Sequence, residues 1–324
     1  MSLLKVEQVM LTHDEHIAAS HAPEYESGAA FTQVGYTPLN TAQIPLLDMG
    51  FIHADAAYDV VSVSRGNFFR LEEHLDRMER SCEKFALSNP YSREQTKEIL
   101  HELVRLSGIK DAYVWWAVTR GVPAGPRSDP SAQKNAFYAF ALPYVWLVDE
   151  ETRLRGIDLG VSTFNRISPR AVDPTAKNFH WMDMKLSLFQ AKKASQDWSV
   201  LLDAEDNLTE APGSNIFIVK NGVVITPNDG CLEGVTRQSA IELAQDLGLQ
   251  VELRRVHVQE LLNADDAFLT SSAGGILPVR SVNGQLLNPA NQVGEVAEKI
   301  HNLYWEKRWS GWLASPVNYA KVLS

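Results

Sequence analysis

The strongest constraint on the fold is a hairpin signal in the second half of the chain. Residues 214–220 and 223–227 are apolar and rich in β-branched side chains, and Asn221-Gly222 lies between them. Asn-Gly readily adopts the positive φ angles of a two-residue turn, so this pattern predicts two adjacent antiparallel strands. Asn283-Gly284 predicts a further hairpin. We therefore expect a chain built largely on antiparallel sheet.

Helical patterns alternate with these strand patterns, which indicates an α+β or α/β fold. Apolar residues recur at helical spacing over residues 71–87. Ser92 and Gln95 have the spacing of a capping box at the start of a helix over residues 93–107. Alternation and apolar runs predict strands at 58–64, 112–120 and 137–142.

Two further segments give predictions about burial and strand length. Residues 44–53 are mostly apolar, and we expect them to be buried. Residues 251–258 are predicted to form one strand. Further helices are predicted at residues 182–194, 235–247 and 292–309.

A length of 324 residues suits two domains of moderate size or one large domain. Pro143 begins a charged segment that ends at Arg155, so residues 143–155 are predicted to be an interdomain linker. This linker would separate a small N-terminal α/β domain, residues 1–142, from a large C-terminal α/β domain, residues 156–324. Residues 1–28 are polar and irregular, which predicts an N-terminal arm.

The composition disfavours nucleic acid and membranes as partners. The net charge is −10, which disfavours nucleic acid or an anionic membrane as the main partner. No apolar run is long enough to span a bilayer, and the start does not resemble a signal peptide, so a cytoplasmic location is expected. Cys82 and Cys231 are far apart in sequence and are expected to be buried thiols rather than a disulfide or a metal site.

Lys177 has unusual neighbours for a lysine. Asp173-Pro174 predicts a turn before it, and Phe179 and Trp181 follow it. Such surroundings suit a desolvated amine that could attack a carbonyl group. On this segment alone, a surface lysine whose stem covers apolar side chains is the favoured interpretation.

Three other elements could hold an anion or a ring nitrogen. Gly234-Val235-Thr236 precedes a predicted helix, whose N terminus would attract a phosphate. Residues 271–275, Ser-Ser-Ala-Gly-Gly, follow a predicted strand and could bind oxygens through hydroxyl and amide groups. Glu210 precedes a strand and would need a cationic partner if buried. Taken singly, each is more simply interpreted as a helix cap, a turn or a turn carboxylate.

Together these motifs resemble the fold-type IV pyridoxal 5′-phosphate (PLP) enzymes, over about residues 30–310. The resemblance is greatest to the (R)-selective amine transaminases, and it implies a two-domain fold like that of D-amino-acid aminotransferase. It implies that Lys177 forms the Schiff base with PLP and moves the substrate's proton, and that Glu210 pairs with the ring nitrogen. The other cofactor residues implied are Arg77, Leu232, Val235, Thr236 and Ser272.

The substrate pocket implied by the resemblance favours an amine over an amino acid. Branched-chain aminotransferases typically have Tyr-x-Arg in a strand of the small domain, and here Tyr113-Val114-Trp115 has tryptophan in place of that arginine. Arg127 resembles the mobile arginine that binds the carboxylate of a keto acid such as pyruvate. The full set of implied pocket residues is His53, Tyr58, Val60, Ser62, Tyr113, Trp115, Arg127, Trp181 and Ala273.

The implied function is transfer of an amino group from an (R)-amine to a keto acid by a homodimer. A branched-chain or D-amino-acid aminotransferase is the alternative. A lyase of the aminodeoxychorismate type and a non-catalytic ligand-binding protein are further possibilities, and the combination of Lys177 with Glu210 argues against the latter.

Overall fold

The computed structural model describes residues 2–5, 23–126, 129–290 and 292–320. The chain divides into two compact units. The unit called here the N-terminal unit contains residues 23–145, Ala176–Phe179 and 308–320. The C-terminal unit contains residues 2–5, Trp146–Thr175 and His180–Lys307. Most of the predicted N-terminal arm and Arg127 lie outside the described residues, and the predicted linker at 143–155 stays a prediction.

The N-terminal unit is organised on one antiparallel sheet. Its strands are β1 Ala29–Thr32, β2 Gly35–Pro38, β3 Ala56–Ser64, β4 Asn67–Phe69, β5 Ala112–Pro123, β6 Gln133–Pro143 and β15 Ala314–Pro316. In the described residues these seven strands run in the order β15-β4-β3-β5-β6-β1-β2. All the pairings between them are antiparallel.

One face of this sheet packs on two helices. The helices of the unit are α1 Met49–His53, α2 Leu71–Lys84 and α3 Arg93–Ser107. The fully buried Val61 and Trp116 from the sheet share a core with Leu103 from α3 and Leu75 from α2. The predicted capping box is confirmed, since Ser92 and Gln95 cap the start of α3 reciprocally. The opposite sheet face therefore remains for other contacts.

The C-terminal unit is organised on a second, mixed sheet. Its strands are β7 Ile157–Asn165, β8 Trp198–Leu202, β9 Asn215–Lys220, β10 Val223–Thr226, β11 Gln250–Leu253, β12 Asp266–Ser271, β13 Gly275–Val282 and β14 Gln285–Leu286. In the described residues they run in the order β11-β10-β9-β12-β13-β7-β8, with β14 paired to β13 off this path. The central pairings are antiparallel, whereas β7 pairs in parallel with β8 and β13.

Both predicted Asn-Gly hairpins are confirmed. Strands β9 and β10 pair antiparallel through Lys220 and Val223, and β13 and β14 pair through Val282 and Gln285. The remaining helices are α4 Glu150–Arg155, α5 Met182–Lys193, α6 Val235–Asp246, α7 Val258–Leu262 and α8 Glu295–Trp309. Within the described part of the chain, no helix is both long and apolar enough to cross a membrane.

The prediction that residues 44–53 are buried is wrong. Asp48 caps the short helix α1 through the backbone N–H of Gly50 at 2.8 Å and is itself buried. Leu46 and Phe51 are 73% and 62% exposed. Apolar composition alone cannot distinguish a core segment from an apolar surface, and this segment is the latter.

The predicted strand over residues 251–258 is also wrong in its second half. Strand β11 ends at Leu253, and helix α7 begins at Val258. His257 caps α7 in a capping box with Glu260. This cap requires extended backbone immediately before a helical turn. The segment predicted as one strand is therefore divided between a strand and a helix.

A buried carboxyl group at the start of α8 gives a pH-dependent prediction. Asp266 accepts a hydrogen bond from the backbone N–H of Ala297 at 2.9 Å. Burial raises the pKa of Asp266 from 3.8 to about 6. Because the folded state binds this proton more tightly than the unfolded chain, the resulting stability is complete below about pH 4 and is lost as the pH rises through 6.

We expect Asp266→Asn to abolish this contribution. The free energy of unfolding of the natural chain, relative to the variant, should rise by roughly 2 kcal/mol between pH 7 and pH 4. Urea unfolding at several pH values measures it. Asp265→Asn, at the exposed neighbouring position, is the control and should not show this rise. Parallel pH profiles for the natural chain and Asp266→Asn would contradict the assignment.

Candidate active site

The backbone of Lys177 is held from two directions within the N-terminal unit. The N–H of Tyr58 donates to the carbonyl of Lys177 at 3.1 Å, and Ala57 forms an antiparallel bridge with Asn178. The N–H of Lys177 donates to Oγ of Ser81 in α2 at 3.0 Å. The Lys177 segment therefore pairs with the start of β3, whereas β4 pairs with the end of that strand, at Val63 and Ser64.

The side chain of Lys177 lies against aromatic rings. Its Nζ is 4.4 Å from the ring centroid of Tyr58, a distance at which the ring face attracts a cation. Tyr58 in turn contacts Phe179 edge to face, with centroids 5.5 Å apart. The amine is therefore bordered by an apolar surface, unlike that of an ordinary surface lysine.

This aromatic surface continues across the sheet. Trp115 stacks on Phe140 with centroids 5.1 Å apart and planes 15° apart. Tyr113 also stacks on Phe140, at 6.3 Å, and Trp115 lies 5.9 Å from Phe179. These rings form what we call the aromatic wall: Tyr58, Tyr113, Trp115, Phe140 and Phe179.

The strand register explains why these rings share one face. Val60 pairs with Trp115 and Ser62 pairs with Tyr113 across β3 and β5, and Phe140 of β6 pairs with Trp115. Side chains at paired positions lie on the same side of a sheet. None of the central residues of this face is charged; these are Tyr58, Val60, Ser62, Tyr113, Trp115, Ala117, Tyr138, Phe140 and Leu142.

Arg77 is fixed by a buried carboxylate in the same unit. Its Nε donates to Oδ2 of Asp59 at 2.8 Å, and its Nη2 donates to Oδ1 at 2.7 Å. Nδ1 of His74 lies 2.8 Å from the same Oδ1. Burial favours the protonated form of Asp59, but Arg77 and His74 outweigh it and hold the pKa of Asp59 well below its usual range. The pair is therefore ionic, and it orients the guanidinium.

Glu210 lies in a second buried charge network, in the C-terminal unit. Its Oε1 accepts from Nε of Arg166 at 2.9 Å, and its Oε2 accepts from the backbone N–H of Leu232 at 3.1 Å. Arg166 also donates to Oδ2 of Asp183 at 2.7 Å. Burial alone would lower the pKa of Arg166, but Glu210 and Asp183 raise it. Two carboxylates therefore share one permanent cation.

The start of helix α6 is suited to an anion. Gly234 occupies the N-cap position of the helix, and as a glycine it has no side chain with which to cap it. A Cβ atom at this position would lie 2.1 Å from Oδ1 of Asn215, whose amide is held by the carbonyl of Leu232 at 2.7 Å. Val235 and Thr236 are buried in the first turn. The N–H groups of this turn and the hydroxyl of Thr236 are chemically suited to phosphate oxygens.

The remaining predicted residues of the C-terminal unit lie on its loops. Ser272 and Ala273 form the turn between β12 and β13, where the N–H of Ala273 donates to Oγ of Ser271 at 3.1 Å. Trp181 directly precedes α5. Its ring edge lies 3.2 Å from where a Cβ of Gly213 would stand, so this tryptophan approaches the loop after Glu210.

Two predicted pocket residues stay predictions. His53 ends helix α1 and is exposed. Arg127 lies outside the described residues.

Sequence reasoning missed the partners of the predicted residues. Asp59 and His74 contact Arg77, Arg166 contacts Glu210, and Asp183 holds Arg166, but none of the four was predicted. Asp59 alternates with Tyr58 and Val60 in a strand, so its predicted position on the helix-facing side was a usable signal for a buried, paired carboxylate. The other pairings depend on tertiary packing, and Arg166 is 44 positions from Glu210.

The donors present fit the cofactor that the resemblance implies. A helix start whose N-cap glycine excludes a Cβ suits a phosphate group, and a buried glutamate carboxylate suits a protonated ring nitrogen. When bound, PLP would draw electrons from the bond that loses a proton. The helix start at Gly234 and the carboxylate of Glu210 both belong to the C-terminal unit, whereas Lys177 and Arg77 belong to the N-terminal unit.

Comparison with known proteins identifies the family. The model of the family described as amino-transferase class IV matches residues 56–282. A branched-chain-amino-acid aminotransferase of Pseudomonas aeruginosa is 31% identical over 260 residues, which cover 80% of this chain and 83% of that protein. One of Salmonella typhimurium is 30% identical over 261 residues, covering 77% and 83%.

A solved structure agrees with these relatives. A branched-chain amino acid aminotransferase from T.th., solved with pyridoxamine 5′-phosphate, has a TM-score of 0.83 and 25% identity, and the match covers 90% of this chain and 99% of that one. The fold-type IV architecture and the PLP cofactor predicted from the sequence are confirmed. The chain belongs to the class IV aminotransferases, which use pyridoxal 5′-phosphate to transfer amino groups.

Proposed function

We propose that this aminotransferase moves an amino group from an (R)-amine to a keto acid such as pyruvate. The observation that carries this proposal is the uncharged sheet face beside Lys177. An α-carboxylate that is removed from water is stabilised most strongly by a cationic partner. The aromatic wall instead offers ring faces, which suit an alkyl or aryl group.

The proposed roles of the cofactor residues follow from their surroundings. Lys177 would link covalently to PLP, and after a substrate amine has displaced it, its free amine would take up and return the proton of the substrate carbon. Arg77, Val235, Thr236 and Ser272 bind the phosphate. Leu232 supports the ring, and its N–H holds Oε2 of Glu210 at 3.1 Å.

Glu210 is proposed to pair with the ring nitrogen of the cofactor. Because the Arg166 guanidinium holds its carboxylate in place at 2.9 Å, Glu210 is suited to pair with a protonated ring nitrogen. Asp183 anchors Arg166 in turn and accepts from the N–H of Ile167 at 2.9 Å. The Asp183 carboxylate therefore helps to fix the guanidinium that fixes Glu210.

A second candidate function is branched-chain amino-acid transamination. It is favoured by the names of the relatives, including the Pseudomonas aeruginosa enzyme with 31% identity. It requires a carboxylate-binding group, and the central face of the sheet supplies no cation among its described residues. We therefore rank it second, and we expect Arg127 to bind the keto acid rather than an amino-acid donor.

The two functions are separated by a donor panel with pyruvate as acceptor. We expect (R)-1-phenylethylamine to be converted faster than its (S)-enantiomer, L-leucine or D-alanine. Lys177→Ala should lose all turnover and the absorbance band of the Schiff base between lysine and PLP, which tests the lysine assignment independently of the donor. Rapid turnover of L-leucine without turnover of the amine would reject the first proposal in favour of the second.

The aromatic wall predicts a specific loss in Trp115→Leu. Removal of the stacked ring should lower kcat/KM for (R)-1-phenylethylamine roughly tenfold, since an aromatic contact contributes about 0.5–1.5 kcal/mol beyond its buried area. The value for a short alkyl amine such as (R)-2-aminobutane should change much less.

Trp116→Phe is the matched control for this variant. Trp116 is the next residue of the same strand, but it is fully buried in the core on the opposite face. It should leave the ratio of aryl to alkyl amine turnover unchanged. An equal change of that ratio in both variants would mean that the wall does not contact the substrate.

We propose, in line with the family resemblance, that the protein acts as a homodimer. Met182, Leu186 and Phe189 follow one another at helical spacing along α5 and are 69%, 38% and 66% exposed. Contiguous exposed apolar side chains of this kind are uncommon on monomers and typical of association surfaces. A second copy of the chain is the proposed occupant.

Phe189→Lys is expected to weaken this dimer. A buried charge without a partner should raise the dissociation constant roughly tenfold or more, which light scattering coupled to size exclusion can measure. Val34→Lys is the control, because Val34 is an 82% exposed apolar residue at a hairpin tip. A dimer that is equally stable in both variants would exclude helix α5 from the interface.

A further inference from the structure

Ser81 connects two of the proposed cofactor residues through their backbones. It lies in α2, one turn after Arg77, and is fully buried. Its hydroxyl donates to the carbonyl of Arg77 at 2.8 Å and accepts from the N–H of Lys177 at 3.0 Å. The first bond is common for a serine in a helix. The second joins α2 to a segment 96 positions away, and helix formation does not account for it.

The segment that Ser81 holds is short. Only Ala176–Phe179 belongs to the N-terminal unit in this part of the chain. Its anchors to β3 are the bond from the N–H of Tyr58 to the carbonyl of Lys177 and the bridge from Ala57 to Asn178. The bond from Ser81 fixes the other side of the same residue, so the Cα of Lys177 is constrained from both the sheet and the helix.

We propose that Ser81 is a positioning residue for Lys177, a role that rests on the proposed function of this lysine. A lysine side chain is flexible, so the place of its amine depends on where its Cα is fixed and on the surface along which it extends. Ser81 fixes the first and the Tyr58 ring provides the second. Because the same hydroxyl binds the carbonyl of Arg77, the backbones that carry the amine and the guanidinium keep a constant separation.

A positioning role of Ser81 and a purely structural role predict different rates of proton transfer. Displacement of a reacting group by about 1 Å can cost on the order of a hundredfold in rate. A residue that only stabilised α2 would change the melting temperature and leave the rate of proton transfer unchanged in the folded enzyme.

The test uses PLP-loaded enzyme carrying Ser81→Ala, with Ser107→Ala as the matched control. Ser107 is also fully buried, in α3, and its Oγ donates to the carbonyl of Leu103 at 3.0 Å. It has the same helical bond as Ser81 but lacks a contact with Lys177. Stopped-flow absorbance measures the first half-reaction with whichever donor the natural enzyme converts, (R)-1-phenylethylamine or L-leucine.

We expect Ser81→Ala to slow this half-reaction roughly tenfold to a hundredfold, with KM for the donor changed less than about threefold. The isotope effect with a donor deuterated at the reacting carbon should increase, and the pH titration of the PLP absorbance should shift. Ser107→Ala should show none of these changes, whatever its melting temperature.

Two results would overturn the proposal. The first is a Ser81→Ala enzyme with the rate, isotope effect and titration of Ser107→Ala, which would leave the proposed function intact. The second is an identical PLP absorbance spectrum for the natural enzyme and the Lys177→Ala variant, which would reject the lysine assignment as well. Ser81→Cys, with a thiol of similar size and weaker hydrogen bonding, should give an intermediate rate.

Discussion

The pairing of Lys177 and Asn178 with the start of β3 is the interaction on which the candidate site depends. A lysine in a loop would have a mobile backbone, whereas here its carbonyl accepts from Tyr58 at 3.1 Å. Four residues, Ala176–Phe179, join the N-terminal unit although the chain on both sides belongs to the other unit. The site therefore depends on a brief strand-like pairing rather than on a helix or a loop of its own.

Buried charges in both units follow one rule. Arg77 is paired with Asp59, and Glu210 is paired with Arg166. A buried ion without a partner is costly, and a bidentate or bridged partner also fixes its direction. Both charged groups proposed to contact the cofactor are thus already oriented by the fold, so binding requires little rearrangement of these side chains.

Sequence reasoning predicted the local features of this fold and named the residues of the candidate site, whose roles stay predictions. The Asn-Gly turns and the capping box at Ser92 depend on neighbours within four positions, so the sequence determines them directly. The pairing of Arg77 with Asp59, 18 positions away, depends on how α2 packs on β3, which periodicity does not specify. The apolar segment around Phe51 was predicted to be buried but is exposed. Hydrophobicity indicates that a side chain tends to be covered, but it does not specify what covers it.

The start of helix α6 implies a trade-off between stability and function. Serine or aspartate at an N-cap position stabilises a helix by only about a few tenths of a kcal/mol over glycine, and here a Cβ at position 234 would collide with Asn215. The chain therefore cannot cap this helix with a side chain at that position. An anion bound at this helix start would make the contacts that a capping side chain makes elsewhere.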